Sequence, residues 1–285
     1  MQPLLGFYYS EFMILIKAPT AYCLIKIALT RMFASLITEP TFYVFAIPAV
    51  ILLGLAKGGF SGVGTAATPV LALYLPPLEA AALLLPILLT QDAISLYAFR
   101  REWDAWNLKV MLPGAALGMG AGWLFAAHVS DDMIRILIGV IAIAFVANAW
   151  LRTEHRSNPS TITGGVFWGA IAGFTSFASQ GGGPPYQVHV LPQRLPKMVF
   201  VGTTTIFFAA VNAMKIVPYF MLGQFSAKNF STSLALLPLA VFANTVGIWT
   251  VRRVPTVIFY RITYILLFVL GLLLLWQGLS HVLSG

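Results

Sequence analysis

The order of apolar and polar positions along the chain predicts a set of membrane-spanning helices. Apolar residues run continuously over stretches of about 20 residues, the length that crosses a hydrocarbon core of roughly 30 Å as an α-helix. Strands of a membrane barrel would alternate apolar and polar residues, and the stretch from Ile262 to Gln277 does not alternate. The predicted apolar segments are residues 41–57, 62–75, 78–99, 108–128, 133–151, 163–179, 184–192, 197–222, 229–251 and 257–282.

Two pairs of short segments are interrupted by glycine-rich sequence, and neither member of a pair is predicted to cross a membrane alone. The first break is Lys57-Gly-Gly-Phe-Ser-Gly62 and the second is Gln180-Gly-Gly-Gly-Pro-Pro185. An unpaired backbone group in hydrocarbon costs several kcal/mol, so a break persists only beside protein or a wet cavity. A half-helix that starts there presents free N–H groups and its positive dipole end, which favour an anion. Close helix packing is the alternative explanation for the glycines.

The two breaks belong to an internal repeat. A shift of 119 residues places Gly54 on Gly173, Gly62 on Gly181, Gly64 on Gly183 and Pro77 on Pro196. We therefore predict a first transmembrane repeat at 41–151, a cytoplasmic linker at 152–162 and a second repeat at 163–285. Residues 1–40 are predicted to be an N-terminal extension, with no cleavable signal peptide. It could be an interfacial helix, a further span, or sequence upstream of a natural start at Met32.

The distribution of lysine and arginine predicts the topology. One set of loops contains ten of these residues, whereas the opposing loops contain two, Arg135 and Lys228. The positive-inside rule places the first set in the cytoplasm. The ten are Arg100, Arg101, Lys109, Arg152, Arg156, Arg194, Lys197, Arg252, Arg253 and Arg261.

This orientation requires each broken pair to enter and leave the membrane on one side, which leaves three full spans in each repeat. Because three is odd, the second repeat must be inverted relative to the first. The predicted fold class is an all-α polytopic membrane protein with two inverted-topology repeats, each a re-entrant, broken helix pair plus three transmembrane helices. We expect it in the cell membrane, with the first break open to the outside and the second to the cytoplasm.

Composition supports the same class. Of the 285 residues, 59% are hydrophobic and 9% charged, against about 25% charged in soluble domains. The net charge of +8 could indicate nucleic acid, but the basic residues fall between apolar segments, so we predict no nucleic-acid partner. Cys23 is the only cysteine, which excludes an internal disulfide and a cysteine metal site. We predict no metal and no cofactor, and no nucleotide-binding motif is present.

Charged and polar side chains within the apolar segments are the candidates for an anion site. A lysine inside the bilayer is costly and marks a functional position by default, although Lys57 could instead reach an interface. Under the 119-residue shift, Asp92 falls one helical turn from Lys215. One interpretation is that Lys215 neutralises the substrate while Asp92 carries a coupling proton, and the alternative is that they pair structurally with each other or with the backbone. The predicted substrate-binding residues are Lys57, Gly58, Gly59, Ser61, Gly62, Ser179, Gln180, Gly181, Gly182, Gly183, Thr203, Thr204 and Lys215.

Other polar residues within apolar sequence are weaker candidates, since hydrogen bonds between helices also explain them. Thr205, Gln91, Asn212 and Asn244 form this group. His189 follows the second break, where it could move a proton, although a hydrogen-bonded structural histidine is the commoner case.

Two other functions compete with transport by a carrier. The stretch from Gly59 to Gly62 matches the short GxSG pattern of intramembrane serine proteases, with His189 as the only candidate base. A protease does not explain the repeat, and we predict no catalytic residue. A passive anion channel is the stronger alternative, because broken helices in inverted repeats serve channels as well as carriers.

The second break lies in a longer stretch, Gly173-Phe-Thr-Ser-Phe-Ala-Ser-Gln-Gly-Gly-Gly-Pro184, followed by Val201-Gly-Thr-Thr-Thr205 and Asn212. With the looser first-repeat counterpart, Gly54 to Gly64, this pattern resembles the TauE/SafE family of sulfite and organosulfonate exporters over roughly residues 42–280. The resemblance implies transport of sulfite, sulfoacetate or a similar small anion. We predict a secondary transporter that works by alternating access and exports the anion coupled to the proton gradient. Its expected partners are the anionic substrate and the lipid bilayer, and the prediction allows an oligomer.

Overall fold

A computed structural model of the protein describes residues 36–60, 64, 67–75, 77–125, 130–151, 160–223 and 226–284. These residues form α-helices and one short 3-10 turn, and no strand occurs among them. The helices are α1 (Pro40–Lys57), α2 (Ala67–Leu71), α3 (Pro77–Phe99), α4 (Ala105–Phe125), α5 (Asp131–Leu151), α6 (Ile162–Ser179), α7 (Gly183–Val190), α8 (Lys197–Met221), α9 (Ala227–Arg253) and α10 (Thr256–Ser284). Most of the predicted N-terminal extension lies outside the described residues.

The described helices are those of a multi-pass membrane protein. Six of them, α1, α3, α4, α8, α9 and α10, are long and apolar enough to cross a membrane. Large apolar side chains are exposed on the outside of the bundle, including Leu124 and Leu151 at 74% and 83%. Such a surface is favourable in lipid and unfavourable in water.

One expectation about the first broken pair was wrong. We expected neither of its members to be long enough to cross a membrane, yet α1 has 18 residues and meets the length and hydropathy required of a span. The helix begins at Pro40, one residue before the predicted segment 41–57, because proline suits the N-terminus of a helix, where no N–H donor is needed. The corresponding helix α6 contains a shorter apolar stretch, Ile162–Ala178.

The helices around the second break begin and end as the sequence predicts. Helix α6 ends at Ser179, and α7 starts at Gly183 with Pro184 and Pro185 in its first turn. Around the first break, α1 ends at Lys57 as predicted. Within the predicted segment 62–75, the described helix is the five-residue α2.

Long-range packing pairs helices from the two halves of the chain. Helix α1 packs against α9, α6 against α4, α3 against α8, and α5 against α10. The helix that precedes the first break therefore lies on a helix of the second half, and the helix that precedes the second break lies on a helix of the first half.

Glycines allow the closest of these contacts. A Cβ atom added at Gly118 of α4 would lie 1.8 Å from the carbonyl oxygen of Ala170 on α6. A Cβ atom added at Gly58 would lie 2.4 Å from Cα of Gly247 on α9. Backbones approach this closely only where side chains are absent. Close packing thus positions the ends of α1 and α6, and with them the two breaks.

We expect Gly118→Ala to lower the stability of the folded protein by about 1–3 kcal/mol, because the new methyl group must push α4 away from α6. Gly120 lies on the same helix, and a Cβ atom there has no neighbour within 4 Å. Gly120→Ala is therefore the matched control. Thermal unfolding of both variants in detergent tests this prediction, and equal transition temperatures would contradict it.

Candidate functional site

The two breaks meet at one cavity of about 80 Å³, which has room for several water molecules or a small ion. The first break contributes Lys57 and Gly59, and the second contributes Gln180 and Gly183. The remaining lining residues are Leu53, Ala56, Gly64, Leu88, Ser176, Val201, Thr204, Thr205, Phe208 and Asn212. Polar donors and apolar side chains thus share the walls of the cavity.

A buried ion pair fixes Lys57. Its ammonium group lies 2.6 Å from Oδ1 of Asp92 on α3, and the two side chains are 12% and 4% exposed. The other carboxylate oxygen of Asp92 accepts a hydrogen bond from the amide of Asn212 on α8, at 2.7 Å. The ion pair explains how Lys57 can be buried, since a lone ammonium in hydrocarbon would be costly.

Asn212 links this pair to Lys215. The ammonium group of Lys215 donates to Oδ1 of Asn212 at 3.2 Å and makes a short contact to Oε1 of Gln180. One hydrogen-bonded chain therefore joins both breaks, from Lys57 through Asp92, Asn212 and Lys215 to Gln180. We call it the polar chain. The alternative was that Asp92 pairs directly with Lys215. This pair does not form, because Asn212 lies between the two side chains and Lys57 contacts the carboxylate of Asp92.

Gln180 carries an unsatisfied donor beside the cavity. Its Oε1 atom accepts from Lys215, while its Nε2 atom is buried and has no hydrogen-bond partner within the described part of the chain. A buried donor without an acceptor is uncommon and costs about 1–3 kcal/mol. An anion in the cavity would supply the acceptor.

The backbone at Gln180 is also unusual. It has φ 58° and ψ 16°, in the left-handed region, where it ends α6. Glycine is the usual residue in this position, because a Cβ atom costs roughly 1–2 kcal/mol there. Glutamine therefore holds this position at a cost that glycine would not have.

The second break offers few backbone donors. The N–H of Gly181 already donates to the carbonyl of Thr175, at 3.0 Å, and prolines 184 and 185 have none. Among the described residues, the N–H groups of Gly182 and Gly183 have no partner. A Cβ atom at Gly182 would lie 2.7 Å from the carbonyl oxygen of Ala172, so this glycine is also needed for packing.

In the described part of the first break, the backbone N–H groups already have partners. The N–H groups of Gly58, Gly59 and Phe60 donate to carbonyls of α1, at 2.8 to 3.1 Å. Gly58 packs on α9, whereas Gly59, with φ +133°, lines the cavity. Lys57 is therefore the donor that this end of α1 provides. Ser61 and Gly62 lie outside the described residues.

The remaining predicted residues divide into two groups. Thr204 lines the cavity, its hydroxyl donates to the carbonyl of Phe200, and its oxygen lies 3.2 Å from the hydroxyl of Tyr186. Thr203 does not line it, because its hydroxyl donates to the carbonyl of Val199 and accepts from the N–H of Asp104. The side chain of Ser179 is not described.

Several residues of the site were not among the predicted binding residues. Asn212 and Thr205 were recognised only as polar residues in apolar sequence. Ser176 and Phe208 line the cavity as well, and the ring of Phe208 lies 5.7 Å from the ammonium of Lys57. Phe208 carries no signal in sequence, because an aromatic residue in an apolar helix is commonplace.

His189 does not belong to the cavity lining. Its Nε2 atom lies 2.9 Å from the hydroxyl of Ser160, just before α6. This contact is the structural, hydrogen-bonded arrangement that the sequence left open for it. Within the described residues, no cluster of histidine, cysteine or acidic side chains could hold a metal ion.

Asp92→Ala should destabilise the protein by about 3–5 kcal/mol, because it leaves the ammonium of Lys57 buried without its carboxylate. Asp132→Ala is the control. Asp132 pairs with Arg135 in a more exposed position, 27% and 13% accessible, where loss of the pair costs up to about 1 kcal/mol. Unfolding of the purified variants measures both effects, and equal losses would contradict this reading of the buried pair.

Comparison with known proteins agrees with a multi-pass membrane transport protein. The model of the family described as "Sulfite exporter TauE/SafE" matches residues 46–274, which is most of the chain. No curated protein and no solved structure shows significant similarity to it. The matched region includes both breaks and every residue of the polar chain. The chain therefore belongs to the TauE/SafE sulfite exporter family of membrane transport proteins.

Proposed function

We propose that this protein is a secondary transporter that exports a small anion, with sulfite or an organosulfonate as the favoured substrate, across the cell membrane. The cavity between the two breaks carries this proposal. Its walls and the polar chain contain two lysines against one carboxylate. An anion placed there meets positive charge and unsatisfied donors in a site largely removed from water, where electrostatic attraction is strong.

The donors suit an oxyanion. Lys57, the Nε2 atom of Gln180 and the N–H group of Gly183 are hydrogen-bond donors on residues that line the cavity. Apolar side chains complete the lining, including Leu53 and Phe208. This mixture suits an anion that carries a short carbon chain as well as a bare oxyanion, which is the range of sulfite and organosulfonates.

Alternating access between two inverted repeats is the proposed mechanism. The exchange of helix partners supports it, since α1 packs on α9 and α6 packs on α4. Inverted repeats place the substrate near the middle of the membrane, between broken helices, and rock around it. The polar chain crosses between the two predicted repeats where Asp92 meets Asn212, so rocking would rearrange this contact.

Proton coupling is the third part of the proposal. The polar chain contains two groups that can carry the coupling proton, Asp92 and Lys215. Both are almost fully buried, at 3% and 0% exposed, so that gain or loss of a proton changes the charge that an anion experiences. Ionisable groups within a membrane protein commonly mark such proton pathways.

Flux of labelled sulfite, sulfoacetate and methanesulfonate into proteoliposomes tests the function. A carrier shows saturable flux that responds to the proton gradient, whereas a passive channel shows neither property. No flux of any of these anions through demonstrably folded protein would overturn the proposal.

Gln180→Gly should reduce anion flux at least tenfold while the protein stays folded. The variant removes a hydrogen bond to the anion, worth about 1.5–3 kcal/mol for a charged partner, and glycine suits the backbone at φ 58°. Arg194→Gly is the matched control, since Arg194 has φ 52°, is exposed and lies outside the cavity. Flux unaffected by Gln180→Gly would remove Gln180 from the site.

A further inference from the structure

The two lysines of the polar chain differ in their surroundings. Lys57 contacts a carboxylate directly, whereas Lys215 is completely buried and contacts two neutral amide oxygens, from Gln180 and Asn212. Two charged groups act on it, Asp92 of α3, which attracts it, and Lys57 of α1, which repels it. Helices α4, α6 and α10 bring it no further charged group of the described chain. A buried ammonium without a direct carboxylate is costly, and an anion in the cavity would offset that cost.

The amide of Gln180 responds to the charge of Lys215. An ammonium group has three donors and no acceptor, so it can meet only the Oε1 end of the amide. That arrangement leaves Nε2 buried and without a partner among the described residues, as the structure shows. An uncharged amine retains two N–H donors and gains a lone pair, so it can accept from Nε2 when the amide turns Oε1 away from Lys215. The N–H groups of the amide attract an anion, whereas its oxygen repels one.

We propose that Lys215 and Gln180 form a proton-dependent switch, in which protonation of Lys215 leaves Nε2 of Gln180 free to bind the anion, so that one proton and one anion occupy the site together. This inference rests on the proposed function. It assigns the coupling proton to Lys215 rather than Asp92, because both oxygens of Asp92 are already held by Lys57 and Asn212. The joint arrival of a proton and a monovalent anion leaves the net charge of the buried site unchanged.

The switch determines the direction in which the proton moves relative to the anion. The proton and the anion move in the same direction, so an exported anion leaves the cell with a proton. Export is then driven by accumulation of the anion inside, and an acidic exterior slows it. Above the pH at which Lys215 loses its proton, binding of the anion weakens tenfold for each pH unit, because one proton is linked to each anion.

The experiment follows proton and anion movement together. Proteoliposomes containing a pH-sensitive dye, with the membrane potential clamped by potassium and valinomycin, receive an inward gradient of methanesulfonate, which stays ionised across the working pH range. With the unaltered protein, the lumen should become acidic as the anion enters. Lys215→Arg replaces the switch by a permanent cation and should carry the anion without acidification, with no decline at alkaline pH. Lys228→Arg, at an exposed position outside the cavity, should behave as the unaltered protein does.

A second measurement needs no substitution. The rise in thermal stability that methanesulfonate gives the unaltered protein reports its affinity, and this affinity should fall tenfold per pH unit on the alkaline side. A lumen that becomes alkaline, anion flux without proton movement, or unchanged acidification in Lys215→Arg would overturn the switch alone. No flux of any tested anion by the unaltered protein would overturn the proposed function, and the switch with it.

Discussion

The polar chain between Lys57 and Gln180 determines how the two breaks can move. Its ends lie on the two breaks, and its middle lies on α3 and α8, so a change in the relative position of the breaks must open at least one of its hydrogen bonds. Bonds to charged groups are worth about 1.5–3 kcal/mol each. An anion that accepts from the same donors replaces much of what is lost. Substrate can therefore lower the free energy of arrangements that are costly in the empty protein.

Such a chain forms only because the helices around it approach closely. Gly58 against Gly247 joins α1 to α9, and Gly118 against Ala170 joins α4 to α6. In lipid, apolar burial does little to hold helices together, so van der Waals packing of small residues and polar contacts take its place. The glycines of the first break therefore meet two different requirements. Gly58 packs between helices, and its neighbour Gly59 lines the cavity.

The sequence predicts which residues form the site better than it predicts which of these residues contact each other. Lys57, Asp92 and Lys215 are recognisable because charges are rare in apolar segments, and Gln180 because it opens a glycine-rich break. Which charge meets which depends on the rotation of each helix about its axis, and a hydropathy pattern does not determine this rotation. The same reason explains Thr203, whose hydroxyl points to the N–H of Asp104 instead of the cavity, and Phe208, which resembles any other aromatic residue of a span. The predicted segment 41–57 begins one residue after α1 and ends with it, but its glycine-rich end was taken as a sign of a half-span.

The two breaks are alike in sequence but unlike in chemistry. At the first, the described N–H groups are satisfied by α1, and the contribution to the cavity is the ammonium of Lys57. At the second, neutral donors come from Gln180 in a strained conformation and from two N–H groups that have no partner among the described residues, with Lys215 behind them. A symmetric pair of breaks would offer two equivalent half-sites. In the proposed transporter, an asymmetric pair holds one anion between the ammonium of Lys57, neutralised in part by Asp92, and a set of dipoles whose direction depends on Lys215. Under the proposed switch, this asymmetry lets the single buried charge of Lys215 control whether the anion binds.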